Sequence, residues 1–344
     1  MIWLTWRQFR TQLVAVYALV AATCVVLAVT GPALAGLAHR NSDVYDVLTS
    51  NDRLLYNGGI AVLAVAPALL GIFWGAPLVA REIETGTYQL VWGQSVTRGR
   101  WLAAKLGFAV LATAVAVGLL TTAITWWAHP IDGALGSQHG SLASRMTPVS
   151  FAMRGVVPVG YAVFALLLGT LIGLVLRRSV PAMAVTLAVY VFVQIAVPLW
   201  VRPHLVPPVT SSVVISQKTL AGIEADGSGP FRITTHTADP RDWVLTNQTV
   251  DAQGHAAGLP SWFSGCLPPP PGNSAPSGKT EVHPGPGTLD ACFSRLTDEG
   301  YRQRLVYQPH THFWRLQWAE TGLYLAASAL LAGLSFWWTR RRLL

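Results

Sequence analysis

Six apolar stretches, each long enough to cross a bilayer, occupy about Leu13–Leu37, Gly59–Ala80, Leu106–Ala128, Val156–Leu176, Val180–Val201 and Thr321–Thr339. They hold almost none of the chain's charge. A charged side chain at mid-bilayer costs roughly 2.5–3.5 kcal/mol on insertion scales, so six clean runs in one chain point to a polytopic membrane protein. The expected fold is all-α in the membrane, with six transmembrane helices, and function has to be sought in the connecting segments.

Charge orients the bundle. On one side lie Arg7, Arg10, Arg81, Arg98, Arg100, Lys105, Arg177, Arg178, Arg340, Arg341 and Arg342, opposed only by Glu82 and Glu84. The other side carries 13 basic and 14 acidic residues. Basic clusters beside the membrane stay in the cytoplasm, so both termini are expected inside. The high pI therefore reports orientation and does not call for a nucleic-acid partner. Trp126, Trp127, Trp200, Trp314, Trp318, Trp337 and Trp338 fall at the ends of the expected spans, where an indole keeps its ring apolar and its N–H wet.

Residues 1–12 read as an interfacial amphipathic helix, because Ile2, Trp6, Phe9 and Leu13 share a face opposite Thr5, Gln8 and Gln12. A signal peptide is the competing reading, with Ala33-Leu34-Ala35 as its cleavage site. The apolar run is longer than a usual signal core, which favours a retained span; the N-terminal sequence of the purified protein decides between them.

The spans offer packing signals and no chemistry. Gly71-x-x-x-Gly75 and Gly169-x-x-x-Gly173 permit close backbone approach between helices. Pro67 and Pro77 in the second span and Pro198 in the fifth are candidate kinks. Static packing is one reading of this set; hinges along a transport path are the other. No acidic, basic or histidine residue is expected deep in a span, with Glu320 only at the outer end of the sixth. That argues against an ion-coupled transporter, and the lack of His-Glu-x-x-His argues against an intramembrane metalloprotease.

The connection Ala38–Asn57 has mixed charge, and His129–Gly155 reads as irregular. Residues 202–315 are enough for a small extracytoplasmic α+β domain between the fifth and sixth helices. Val213–Ser216, Phe231–Thr235 and Trp243–Thr246 are expected strands and Leu289–Gln303 an expected helix, with a flexible Pro/Gly tract from Pro268 to Gly287. Cys266 and Cys292 are the only cysteines outside the membrane, and a disulfide between them would stabilise the domain by roughly 3 kcal/mol in the loop-entropy model. Cys24 reads as packing within the first span. Two patterns are set aside. Gly272 to Thr280 imitates a phosphate-binding loop but has five residues between its glycines where four are needed, and follows prolines instead of a strand. His310-Thr-His312 lacks a paired acid or thiol, so no metal site is expected.

The informative cytoplasmic segment is Arg81–Lys105. It carries two acids, a Thr85-Gly86-Thr87 turn, an apolar patch (Tyr88, Leu90, Val91, Trp92) and a basic exit. An apolar helical face this small needs somewhere to bury itself, either the bilayer surface or a cytosolic partner. The segment resembles the first cytoplasmic loop of ABC-2-type export permeases, through Glu82 and Glu84, Gly86-Thr87, Tyr88–Trp92, Ser95-Val-Thr-Arg98 and Lys105. Gln94 lies where the wider family often has a proline. The C-terminal run Val306-Tyr-Gln-Pro309, Phe313-Trp314, Gln317, Glu320-Thr-Gly, Phe336-Trp-Trp and Arg340–Arg342 is similar to an actinobacterial branch, as are the 21 Arg against 3 Lys.

The resemblance implies a permease subunit in a bacterial cell membrane, moving a hydrophobic or amphiphilic substrate outward. It would pair with an identical or different second permease. Cytosolic ABC ATPase subunits would dock on Glu82, Glu84, Thr85, Gly86, Thr87, Ser95 and Arg98. Residues 1–12 would be the connecting element, 13–201 the first five spans, and 316–344 the sixth span with its basic tail. No enzymatic activity and no cofactor are expected in this chain, since its cytoplasmic pieces are too short for a nucleotide-binding domain; ATP and Mg²⁺ would bind the partner. A non-transport membrane protein whose external domain senses an envelope partner is the alternative.

Overall fold

The computed structural model describes residues 2–40, 48–86, 97–134, 144–224, 231–266 and 288–341. It is mostly helical and divides into two compact units. The first comprises Met1–Leu135, Arg145–Val206 and Phe313–Leu344; the second comprises Gly136–Ser144 and Pro207–His312.

Among the described residues six helices are long and apolar enough to span a membrane: Arg10–Leu37, Ser50–Glu84, Arg98–Asp132, Val157–Leu176, Ser179–Leu205 and His310–Arg341, the last belonging to the first unit from Phe313 on. All six apolar runs of the sequence are accounted for. The first helix is continuous from Ile2 to Arg40, so the N-terminal segment and the first span share one rod. Thr49 starts the second span with a capping box: its hydroxyl accepts from the Asp52 N–H, and the Asp52 carboxylate accepts from the Thr49 N–H at 3.2 Å.

The fourth span is the centre of the bundle. In its apolar window 72% of residues are buried, against 17% in the first span and 22% in the fifth. Leu166 and Leu174 of this helix pack with Leu70, Trp74 and Leu78 of the second span and Trp101, Leu102 and Leu106 of the third. The peripheral helices turn Leu19, Val29, Val180, Phe192 and Leu330 outward, as expected where lipid tails replace water as the neighbour.

Two of the expected prolines lie at interruptions of the helical ladder. The second span widens into a π turn at Gly71–Gly75, closed by the Ala76 N–H on the Gly71 carbonyl. The fifth widens at Val197–Val201, closed by the Arg202 N–H on the Val197 carbonyl. In each case the donor is followed directly by proline, Pro77 or Pro203. A proline ring collides with the carbonyl four residues back and offers no N–H, and the extra residue in the turn relieves both. Pro198 lies inside the fifth-span turn, but the residue equivalent to Pro77 is Pro203.

Within 129–155 the described residues include helix where an irregular connection was expected. The third-span helix continues to Ala134, and a one-turn helix, Pro148–Ala152, buried through Ser150, Phe151 and Ala152, precedes the fourth span. Proline at its first position supplies a preset φ, and Phe151 beneath it packs edge-on against Phe313, 5.4 Å between ring centres.

The second unit is α+β. Strands β1 (Val209–Val213), β4 (Trp243–Val250) and β5 (Arg302–Gln308) form an antiparallel sheet in the order β1-β5-β4, while β2 (Leu220–Glu224) and β3 (Arg232–Thr235) form a hairpin. Ile215, Ile223, Ile233, Phe263, Leu289, Phe293 and Leu296 make its core. The Cys266–Cys292 disulfide is formed and packs against this core.

Three local expectations change. The first strand comes earlier than Val213–Ser216, β2 was not anticipated, and the helix expected to reach Gln303 ends at Asp298. Gly300 adopts φ +85°, its N–H and that of Tyr301 cap the helix on Thr297 and Leu296, and the chain emerges as the central strand β5. The buried Gln303 then cross-links the unit, donating to the Ile233 carbonyl at 2.8 Å and to Asn247 Oδ1 at 2.7 Å while accepting from Thr249. The Pro268–Gly287 tract and the phosphate-loop imitation lie outside the described residues.

Candidate functional site

The segment Arg81–Lys105 joins the second and third spans. Thr87, Ser95, the apolar patch Tyr88–Trp92 and Gln94 lie outside the described residues, and both shoulders of the segment are described. The second span ends through Thr85, whose N–H and hydroxyl both bond the Arg81 carbonyl, at 3.0 and 2.8 Å. Gly86 follows at φ +74°. A Cβ there would meet nothing within 4 Å, so the left-handed backbone alone selects glycine at this helix end. On the far shoulder Thr97 caps the third span: its carbonyl accepts from Trp101 N–H at 3.1 Å and its hydroxyl from Arg100 N–H at 3.4 Å. Sequence reasoning named Ser95 and Arg98 but not Thr97, although a threonine directly before a basic-then-apolar run is an N-cap signal.

The two acids of the segment are bound within the chain. Lys105, buried in the third span, donates to Glu82 Oε1, and its ammonium lies 4.9 Å from the centre of the Trp101 ring. Glu84 accepts from the N–H of Ser179 at 3.2 Å and from its hydroxyl at 2.8 Å. Ser179 begins the fifth-span helix, so this carboxylate satisfies the free N–H groups and positive pole of a helix start. Just before it, Arg177 takes a left-handed conformation, φ 55°, in the tight turn from the fourth span. One short helix end, Pro77–Glu84, is therefore tied to the third span through Glu82 and to the fifth through Glu84.

The same helix is locked to the fourth span along its length. A Cβ built on Gly71 would come within 2.7 Å of the Ala165 carbonyl oxygen, and one on Gly169 within 2.8 Å of the Ala76 nitrogen. Gly75 and Gly173 are as crowded, against the backbones of Leu166 and Ala76. The four glycines named from the sequence thus belong to a single crossing, and Thr170 hydrogen-bonds across it to the Gly75 carbonyl at 3.3 Å. Pro67 is buried in the second span, four residues before the π turn.

The opposite end of the bundle holds charge that the sequence did not reveal. Arg202 and Glu320 have no exposed side-chain surface. Arg202 Nε donates to Glu320 Oε2 at 2.7 Å and Nη2 donates to Oε1 at 2.9 Å, a two-pronged pairing. Tyr161 of the fourth span donates to the same carboxylate at 2.5 Å, and Arg202 Nη1 donates to the Pro148 carbonyl at 2.8 Å. The fifth-span helix continues past Val201 through Arg202, near its end, and that side chain is buried because Glu320 is there to neutralise it. A second pair, Arg154–Asp132, lies in the same unit with Tyr56 bonded to Asp132 at 2.9 Å.

In the second unit His310 does have acidic neighbours. Its backbone N–H donates to Asp242 Oδ1 at 2.8 Å, and ring Nδ1 lies 3.1 Å from the same oxygen and 3.4 Å from Asp239 Oδ2. These three residues form a group with metal-like spacing. However, Arg241 already occupies it, donating to Asp239 at 2.9 and 2.6 Å and lying 3.3 Å from His310 Nε2. The guanidinium holds the Asp239 carboxyl well below the usual carboxylate range. His312 turns away to Gln308. A cation here would face the arginine, so the cluster reads as a self-neutralised structural joint.

A family model described as ABC-2 membrane transporter related matches residues 12–202, just over half of the chain. The chain belongs to that family. No curated protein and no solved structure matches it. The matched range takes in the first five spans and the Arg81–Lys105 segment, so the ties through Glu82 and Glu84 lie inside the part that defines this ABC-2 protein. The larger part of its second unit, Pro207–His312, lies beyond the match.

Proposed function

We propose that this ABC-2 protein is the membrane-spanning subunit of an ATP-driven exporter in the bacterial cell membrane. Cytosolic ATPase subunits dock on residues 81–105, and the cargo is hydrophobic or amphiphilic. It works beside a second permease, identical or related, with both termini in the cytoplasm. Family membership supports the general class. The observation that carries the docking site is the pair of ties made by the Pro77–Glu84 helix end. A push on the adjoining segment reaches the third span through Lys105, the fifth through Ser179 and the fourth through the glycine crossing. A segment merely resting on lipid needs no such three-way anchorage. ATP and Mg²⁺ bind the partner, and this chain supplies no catalytic group to hydrolysis.

The test is co-purification with the cognate ATPase. Glu84→Lys combined with Arg98→Glu reverses charge on both shoulders. Electrostatic complementarity fixes the register of a docked pair and suppresses mismatched charges, so ATPase recovery on the double variant is expected to fall, and ATP-dependent transport with it. A double variant that retains its ATPase and its turnover overturns the assignment.

A further inference from the structure

The last three turns of the sixth span carry a stripe that changes character at the membrane surface. Leu330, Leu334 and Trp337 are exposed and follow one another at helical spacing, and Arg341 comes next on the same line. From Leu330 to Arg341 the helix rises about 16 Å, the depth of one leaflet of the hydrocarbon core. The Arg341 guanidinium lies 5.6 Å from the centre of the Trp337 ring, so the indole holds that charge at the level where such rings settle.

The neighbouring Arg340 reaches toward the third span. Its Nη2 lies 3.8 Å from the place a Cβ on Gly99 would take, and Arg100 follows Gly99 in the first turn of that helix. Arg100, Arg340 and Arg341 are all exposed. Among the described residues none of these three guanidiniums has an acidic partner. The acids at this end of the bundle are engaged elsewhere, Glu82 by Lys105 and Glu84 by Ser179. Like charges gathered at one helix end repel one another, and an anion relieves that cost. Guanidinium groups grip phosphate through paired N–H bonds. Their place at the foot of an apolar stripe favours a phosphate that carries acyl chains, since a water-soluble anion would leave Leu330 and Leu334 untouched.

We propose that the ends of the third and sixth spans form a binding site for an anionic phospholipid. Its phosphate is taken by Arg340 and Arg341 with Arg100 beside them, and one acyl chain lies along Leu334 and Leu330. Binding there requires neither ATP nor a partner subunit, so its failure would leave the exporter reading standing.

The test uses the full chain in phosphatidylcholine nanodiscs, without ATPase, doped with phosphatidylglycerol bearing a photoactivatable acyl chain. Adducts are expected to concentrate on the sixth-span peptide that contains Leu330, Leu334 and Trp337. A phosphatidylcholine probe with the same acyl chain has no net charge and is expected to label that peptide about tenfold less. Arg340→Gln with Arg341→Gln removes two charges, each worth about a factor of five beside an anionic surface, so phosphatidylglycerol labelling falls to the phosphatidylcholine level. Arg340→Lys with Arg341→Lys keeps both charges and retains most of the label, which separates loss of charge from loss of fold. Equal labelling by the two probes, or labelling unchanged in the glutamine variant, overturns the proposal. If that variant keeps its label and loses its ATPase instead, the arginines serve protein docking. Displacement of the probe by glycerol 3-phosphate also overturns it, because the site would then take a headgroup without chains. So does a photo-crosslinker at Leu334 that captures a second copy of the chain in place of lipid.

Discussion

Glu320 is held by Arg202 through two hydrogen bonds and by Tyr161 through a third, with no solvent in reach. Removing one partner of such a pair leaves an uncompensated buried charge, at a cost of about 3–5 kcal/mol. Glu320→Ala is therefore expected to lower the thermal unfolding midpoint of the solubilised protein sharply. Replacing both partners, Arg202→Met with Glu320→Leu, should restore most of the loss, because no stranded charge remains. This pairing was not legible beforehand. The partners are 118 residues apart, and an arginine after an apolar run reads as the start of a loop unless its acid is already known. Glu82 and Glu84 stand out in the sequence as the acids of an otherwise basic segment, but their neighbours Lys105 and Ser179 emerge only once three helix ends are brought together. The glycine at 86 was readable, since Thr-Gly after a helical run is an ordinary way to end it.

Among the elements, the second and fourth spans meet through glycine on both sides, and backbone oxygen takes the place of side-chain contact. Gly169→Ala forces its methyl onto the Gly71 carbonyl and Ala76 nitrogen; an overpacked contact costs about 1–3 kcal/mol, and Gly169→Leu should fail to assemble. Gly322→Ala in the sixth span is the control, since a Cβ there meets nothing within 4 Å and alanine favours the helix by about 1 kcal/mol. Yield of monodisperse protein and its melting temperature read both. The spacing Gly-x-x-x-Gly carried this contact in the sequence, because small residues one turn apart are informative by themselves. The π turns were hidden: proline content marks a disturbance but not which residue absorbs it, and the decisive prolines are the ones following the i→i+5 donors. Strand β5 was missed for a similar reason, since Gly300 converts helix to strand within three residues and local composition averages over the switch.

For the whole molecule, six spans and a stapled α+β unit could be read from apolar run length, charge placement and cysteine count, because each reflects a transfer cost and not a particular contact. The disulfide joins cysteines 26 apart in sequence, so Cys266→Ser with Cys292→Ser should destabilise the second unit by about 3 kcal/mol. Limited proteolysis of the full chain should then cut faster within residues 207–312 while the spans stay protected; unchanged cleavage would mean that the core of Phe263, Phe293 and Leu296 suffices. The burial of the fourth span has a further consequence. A rod gripped around its whole circumference cannot slide or swivel alone without tearing contacts on every side. It serves as the fixed axle of the bundle, so a change in the packing of any one helix against it has to be accommodated by the others that share the same rod.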